Sequence, residues 1–256
     1  MKILLLDIET APSKSYIWGL WQEITNYGMI ERDWYILCWA AKWLDEKKIY
    51  TSALPDFPDY KKHPEHDIHV LMKLWKLLDE ADIVIAHNGI NFDRKKINAR
   101  FIINGINPPS PYRMIDTLDV CRKEFAFTSN KLADVAQFLG IGKKLETGGF
   151  QLWKDCLAGI QKAWATMVKY NVNDTILLEK VYLKLRPYIL LHPNMGVDVD
   201  KPVCPKCASD SLVFRGYKTT NAGKYKQFCC NACGGWGRLK INELTKEQRA
   251  VLTTNA

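Results

Sequence analysis

Four carboxylates, one phenol and four thiols are the groups in this sequence whose spacing can do chemistry. Asp7 and Glu9 close the apolar run Met1-Lys2-Ile3-Leu4-Leu5-Leu6-Asp7-Ile8-Glu9-Thr10. On a strand, residues two apart point to the same face, so both acids converge while Ile8 turns back into the core. Two close carboxylates repel, and burying them is costly unless a positive charge sits between them. Mg²⁺ or Mn²⁺ suits such a pair, because hard cations take carboxylate oxygens. Two ligands are too few for a whole site, so the pair predicts further acids elsewhere. Taken alone, an Asp-x-Glu fits an exposed edge strand with solvated acids better.

Asp93 ends the segment His87-Asn88-Gly89-Ile90-Asn91-Phe92-Asp93. It opens a helix just past the end of a strand, where α/β sheets tend to bind ligands. An acid in a first helical turn also complements the helix dipole and needs no other reason to be there. Tyr170 and Asp174 are four apart in a helical stretch, so they share one face. Asp116 is a further acid at a strand end and reads as a helix cap, with support of the site from behind its ligands as the alternative.

The elements that carry these groups follow from hydrophobic period and punctuation. Lys2–Leu6 is a short leucine-rich run that predicts a central strand buried on both faces. Residues 11–34 read as a loop-rich aromatic insertion with Tyr16, Trp18, Trp21, Tyr27 and Trp34, most of them expected to pack on the body, with stacking on bases as the alternative use near a nucleic-acid site. Tyr35–Trp43 and Lys48–Leu54 predict a hairpin, and Pro55, Pro58 and Pro64 a loop. Helical spacing marks 66–80, 92–103, 117–126, 131–139 and 160–185, while Ile83–Ala86 and Arg113–Thr117 read as strands.

Charge divides the chain unevenly. Its formal net charge is +8, yet residues 201–256 hold ten Lys/Arg against three acids, leaving the first 200 residues nearly neutral. A basic block of this kind is an electrostatic footprint for a polyanion. Within it, Cys204 and Cys207, then Cys230 and Cys233 after twenty-two intervening residues, have the paired spacing of a tetrahedral zinc site. Cys229 is a rival to Cys230, although the two-residue knuckle and the following Gly234 favour Cys230. A disulfide pair is disfavoured in a cytosolic setting, where Cys38, Cys121 and Cys156 read as buried apolar thiols. Ser211–Thr219 and Lys224–Phe228 predict a hairpin between the knuckles, with Asn221-Ala222-Gly223 as its turn. With 47% hydrophobic and 25% charged residues the composition is that of a soluble globular protein. The N-terminal run is too short for a signal peptide and no stretch reaches membrane-span length, so a cytoplasmic location is expected.

Taken together, Asp7-x-Glu9, Asn88-x-x-x-Phe92-Asp93 and Tyr170-x-x-x-Asp174, in this order and over about residues 1–190, resemble the three exonuclease motifs of the DEDD superfamily. Tyr170 matches the Tyr subclass, which includes polymerase proofreading domains and ribonuclease D. The resemblance implies an α/β fold of ribonuclease H-like type, a five-stranded mixed sheet flanked by helices, over residues 1–193. The cysteine region resembles a zinc ribbon of the transposase-associated type, a small β domain over 200–241, followed by a tail at 242–256. By similarity, Asp7, Glu9 and Asp174 hold one Mg²⁺ or Mn²⁺, Asp7 and, through water, Asp93 hold a second, and Tyr170 with Glu9 orients the attacking water. One structural Zn²⁺ belongs to Cys204, Cys207, Cys230 and Cys233. The implied reaction is 3′→5′ hydrolysis of nucleic acid to nucleoside monophosphates by two metals. Nothing in the chain resembles a polymerase domain, so a free-standing enzyme is expected, DNA being the favoured substrate, at single strands or 3′ ends. Arg215, Tyr217, Lys218, Lys224, Lys226, Trp236 and Arg238 are the expected nucleic-acid contacts of the ribbon. The alternatives are a ribonuclease D-like exoribonuclease and an adaptor with an inactive nuclease body, and the ribbon has a protein partner as its rival ligand.

Overall fold

The protein is described by a computed structural model covering residues 1–21 and 24–253, so Gln22 and Glu23 of the aromatic insertion and the last three residues of the tail lie outside the described residues. The elements are β1 (Ile3–Thr10), β2 (Lys14–Ser15), β3 (Ile30–Arg32), β4 (Ile36–Trp43), β5 (Ile49–Ala53), α1 (Ile68–Glu80), β6 (Ile83–Ala86) and α2 (Asp93–Ile103). They continue with β7 (Arg113–Asp116), α3 (Thr117–Glu124), α4 (Leu132–Phe138), α5 (Gln151–Leu157), α6 (Gln161–Leu185), β8 (Leu212–Thr220), β9 (Gly223–Cys230), β10 (Trp236–Arg238) and α7 (Lys246–Ala250). Two compact units divide between Tyr182 and Leu183, inside α6. The division falls before Pro193 because the end of α6 leads into residues tied to the tail, where Lys206 donates from Nζ to Pro187 O.

In the first unit, five strands form one mixed sheet in the order β5-β4-β1-β6-β7. β1 runs antiparallel to β4 and parallel to β6, so it lies at the centre with Leu4, Leu5 and Leu6 fully buried. Burying each of these side chains contributes roughly 1.5–3 kcal/mol, which fixes the strand that carries the first acids. The ladder with β4 continues through Asp7↔Ala40 and Glu9↔Cys38, whereas pairing with β6 stops at Leu5↔Ile85. Asp7 and Glu9 therefore extend past the end of the shorter neighbour, into the crevice outside it.

β4 is buried along its whole length, Lys42 included. A buried ammonium needs a partner, and Lys42 finds it in Glu179 of α6. Thr175 Oγ1 donates to Ala40 O at 3.3 Å, so α6 is fixed to β4 at two levels. That attachment decides where Tyr170 and Asp174 stand.

Three elements escape the sequence reading of this unit. α5 buries only Leu152 and Cys156, one i,i+4 pair, which is too little period to register. β2 and β3 are two- and three-residue strands that, among the described residues, pair only with each other within the aromatic insertion, whose Tyr16, Trp18, Trp21 and Tyr27 are exposed instead of packed on the body as expected.

The second unit contains a three-stranded antiparallel sheet in the order β10-β9-β8. Thr220 pairs with Gly223, so the turn is Asn221-Ala222 and Gly223 already belongs to the strand. β10 was hidden by Gly234, Gly235 and Gly237, which erase alternation. Gly237 is required there, since a Cβ would lie 2.4 Å from the Phe228 ring. Among the described residues no helix is long and apolar enough to cross a membrane.

Candidate active site

The attachment of α6 to β4 places Asp174 over the two acids of β1. One carboxylate oxygen from each of Asp7, Glu9 and Asp174 lies within 4.8 Å of the others. Asp174 is only 3% exposed, and its Oδ1 is buried with no hydrogen-bond partner among the described residues. An orphaned buried acceptor is costly, and a hard divalent cation among three carboxylates would satisfy it, so the donor set fits Mg²⁺ or Mn²⁺. Asp93 stands beside this group rather than within it. It opens α2, is buried, and accepts from the Ile8 N–H at 3.3 Å.

Burial pushes all four acids upward, and neighbouring carboxylates add to it at Asp7, Glu9 and Asp93. Asp7 lies well above the usual carboxylate range, with Glu9, Asp93 and Asp174 adding to desolvation. Glu9 is pushed up to about 8 and Asp93 to about 7, in each case chiefly by burial. Asp174 is raised by burial too, although Lys144 opposes the shift. A cation bound among them would invert this logic and hold them ionised.

The loop that delivers Asp93 is held by Asp116, whose carboxylate accepts from Asn88 N at 2.8 Å and Ile90 N at 3.0 Å while capping α3 through Leu118 N. Gly89 permits the close approach, since a Cβ there would meet Ala86 Cβ at 2.4 Å and Met114 Cε at 2.5 Å. Asp116 is therefore a positioning residue for this loop as well as a cap.

Two neighbours of the acids were missed. Asn171 donates from Nδ2 to Asp7 Oδ2 and, at 3.2 Å, to Asp7 O, fixing that carboxylate from α6. Its adjacency to Tyr170 was the available signal. Lys144 lies 2.7 Å from Asp174 Oδ2, with its ammonium 4.5 Å from the Tyr170 ring centroid. Burial works against that charge, yet hydrogen bonds to Asp174 and Tyr170 raise its pKa above the ordinary lysine value. Tyr170 is itself pushed up to about 12, mainly by burial, and its ring meets Trp153 edge-on.

The acids open onto a cavity of about 570 Å³ whose lining includes Asp7, Asp174, Asn88, Arg122, Lys131 and Lys144. Two acids and three cations lining one cavity suit a phosphate ester brought to a metal site. A larger cavity of about 860 Å³ lies near Phe57, Tyr60 and Trp164. Its one acid, Asp56, already accepts from Ala53 N at 2.8 Å, so it offers no comparable chemistry.

The sequence pattern of the RNase_H superfamily matches residues 28–186, well over half of the chain. The chain belongs to the RNase_H superfamily. The matched segment contains Asp93, Tyr170 and Asp174, while Asp7 and Glu9 lie ahead of it on the central strand of the same sheet. Among solved structures, the family B DNA polymerase from the hyperthermophilic archaeon Pyrobaculum calidifontis is similar at a TM-score of 0.51 and 14% identity. The likeness covers 72% of this chain and 25% of that one, so this RNase_H-superfamily protein spans about a quarter of the polymerase's length. No curated protein matches the chain.

Outside the RNase_H-like unit, Cys204, Cys207, Cys230 and Cys233 bring their sulfurs within 4.8 Å of one another. The Cys204–Cys233 and Cys207–Cys230 Sγ distances are 3.6 and 3.7 Å, far beyond a disulfide bond and close to the ~3.8 Å edge of a tetrahedron with ~2.3 Å zinc–sulfur bonds. Burial raises the Cys204 and Cys207 thiols; at Cys230 burial is outweighed by backbone N–H groups of Cys233 and Ala232 together with the Cys207 and Cys204 thiols, which lower it to about 7. The donor set thus fits Zn²⁺. Cys229 stands outside the group, with its Sγ 3.8 Å from Gly234 O. Of the expected nucleic-acid contacts, Arg215, Tyr217, Lys218, Lys224, Lys226, Trp236 and Arg238 all lie on the three strands, but on more than one face.

Proposed function

We propose that this protein is a divalent-cation-dependent 3′→5′ exonuclease of the DEDD type, Tyr subclass, with DNA as its favoured substrate. The observation that carries the reading is the convergence of Asp7, Glu9 and Asp174 around the orphaned Asp174 Oδ1, at the mouth of a cavity walled by cations. When bound there, two Mg²⁺ or Mn²⁺ ions would make a nucleophile of water and neutralise charge on the leaving 3′ oxygen.

The chain's own residues do the rest. Asp7, Glu9 and Asp174 hold cations, and Asp93 supports the second position from beside the cluster. Asn171 orients Asp7. With its pKa near 12, Tyr170 keeps its proton at neutral pH, so it positions water as a hydrogen-bond partner rather than acting as a base. Lys144, Arg122 and Lys131 face the scissile and neighbouring phosphates. In the second unit, Zn²⁺ on four cysteines is structural, and the basic sheet aids substrate binding. The DNA polymerase among similar folds supports DNA over RNA.

The test is release of nucleoside monophosphates from 5′-labelled single-stranded DNA and RNA with Mg²⁺ or Mn²⁺. Wild type should shorten the DNA from its 3′ end, and Asp7→Ala and Asp174→Ala should each abolish the reaction with the fold intact by circular dichroism. Full activity in either variant would sink the assignment.

A further inference from the structure

The three-stranded sheet of the second unit presents two unlike faces. Residues paired across an antiparallel ladder project to the same side. The pairs Lys218↔Tyr225, Gln227↔Arg238 and Cys229↔Trp236 therefore share one face. Phe214↔Phe228, Tyr217↔Lys226 and Thr219↔Lys224 share the other. That second face carries the apolar contact of the unit, since Phe228 is buried and meets Phe214 edge-on at 5.9 Å. Its cation Lys224 is occupied over the Tyr217 ring at 4.2 Å.

The first face is built differently. A concavity of about 510 Å³ opens there, lined by Leu190, Lys218, Gln227, Trp236, Gly237 and Arg238. Trp236 is 50% exposed in spite of its size. The Arg238 guanidinium lies 3.8 Å from the Tyr225 ring centroid, which fixes its plane, and Nη1 donates to Leu239 O at 3.5 Å, leaving Nη2 to meet a phosphate. This face carries Lys218 and Arg238, and none of the three strands carries an acid, so the positive charge around the exposed indole has no acidic partner on the sheet.

We propose that this face binds one unpaired nucleotide of a single-stranded nucleic acid, its base against Trp236 and its flanking phosphates on Lys218 and Arg238, with the Gln227 amide at the base edge. A volume of this size suits one nucleotide, ligand pockets running from ~300 to ~1,000 Å³. Aromatic rings set among cations match a polyanion that carries flat rings, the combination that holds single strands without sequence readout. An apolar protein partner would leave these cations desolvated and unpaired. The occupant's role as substrate rests on the nuclease reading; the binding itself does not.

The experiment measures fluorescence anisotropy of 5′-labelled, phosphorothioate-linked oligo(dT) and oligo(U) with the full zinc-loaded chain, without added Mg²⁺ or Mn²⁺. Trp236→Ala should weaken binding about tenfold, and Trp236→Phe should restore most of it, because the loss is of stacking. Lys218→Ala/Arg238→Ala should lower the salt slope by about 1.4, two phosphates' worth on a single strand. Lys224→Ala/Lys226→Ala, on the other face, should change the slope by less. Zinc content checks that each variant keeps its fold. Unchanged affinity in Trp236→Ala, or a loss in Lys224→Ala/Lys226→Ala as large as in the first pair, would overturn the proposal. Absence of binding to either oligonucleotide would overturn it too, and would turn the face over to a protein partner. Because binding is read without hydrolysis, a chain that binds through Trp236 yet releases no nucleotide refutes the nuclease reading and upholds this one.

Discussion

Lys144 Nζ sits 2.7 Å from Asp174 Oδ2 and over the Tyr170 ring, so one ammonium joins the acid cluster to the phenol. Its segment between α4 and α5 has no regular structure, and only the fold brings it to α6. The same charge that steadies Asp174 repels a divalent cation at that carboxylate and attracts a substrate phosphate. These two effects have opposite signs in metal and in substrate affinity.

Lys144→Ala should therefore lower the Mn²⁺ concentration needed for half-maximal activity while reducing kcat/KM by about 10², at the lower end of what one lost transition-state contact costs. Lys144→Arg should recover part of the rate. A purely structural role would not move the metal dependence. If Lys144→Ala required more Mn²⁺, or retained the wild-type rate, the assignment would be wrong.

The raised acids give the metal-free protein a definite pH dependence. Glu9 goes from an ordinary 4.5 to about 8, and Asp93 from 3.8 to about 7. Between these values the folded chain holds protons that the unfolded chain has released, so stability is greatest at the acid end and falls as pH rises toward 8. Thermal unfolding of metal-free protein should show Tm dropping through this window, less steeply in Glu9→Gln. Added Mn²⁺ should raise Tm more at pH 8 than at pH 6, since the cation binds ionised carboxylates. A rising Tm over the same range in metal-free protein would contradict the burial of these groups.

Much of this site was legible because its parts obey short-range rules. Asp7 and Glu9 converge by strand period, Tyr170 and Asp174 by helix period, and Asp93 by its place after β6. Lys144, Arg122 and Lys131 carried no such signal, because each looks like a solvated charge until the fold gathers them around one cavity. The faces of the C-terminal sheet were hidden for another reason. Pairing slips between Phe214 and Tyr217, which opposes the extra residue of β8 to Gln227 and puts Tyr217 on the side of Phe214. Counting by twos across that bulge assigns every later residue of the strand to the wrong face.

Zinc ligation discriminates between adjacent cysteines. Cys230 is buried within the four-sulfur group, whereas Cys229 points to the opposite side of β9 toward Gly234 O. Elemental analysis of protein prepared without chelator should find one zinc per chain in wild type, in Cys229→Ser and in Asp7→Ala, and markedly less in Cys230→Ser. Loss of zinc in Cys229→Ser with retention in Cys230→Ser would reverse the assignment.

Tyr170 separates positioning from ligation within the acid site. It lies one helical turn before Asp174, is 8% exposed, and is engaged by Lys144 and Asp174 while Trp153 packs against its ring edge. Removing the hydroxyl leaves all four carboxylates and the ring packing in place, so Tyr170→Phe should bind Mn²⁺ and keep the wild-type Tm within a few degrees. What it loses is one hydrogen-bonding group near the attacking water, a change that costs roughly 10²–10³ in rate at the severe end. With the phenol pushed up to about 12, it is not the group whose ionisation sets the pH–rate profile near neutrality. The variant's rate should therefore fall by a constant factor across pH 6–9, leaving the shape of the profile unchanged. A profile whose basic limb disappears in Tyr170→Phe would make the phenol an acid–base group, and a loss as complete as in Asp174→Ala would make it part of the metal site.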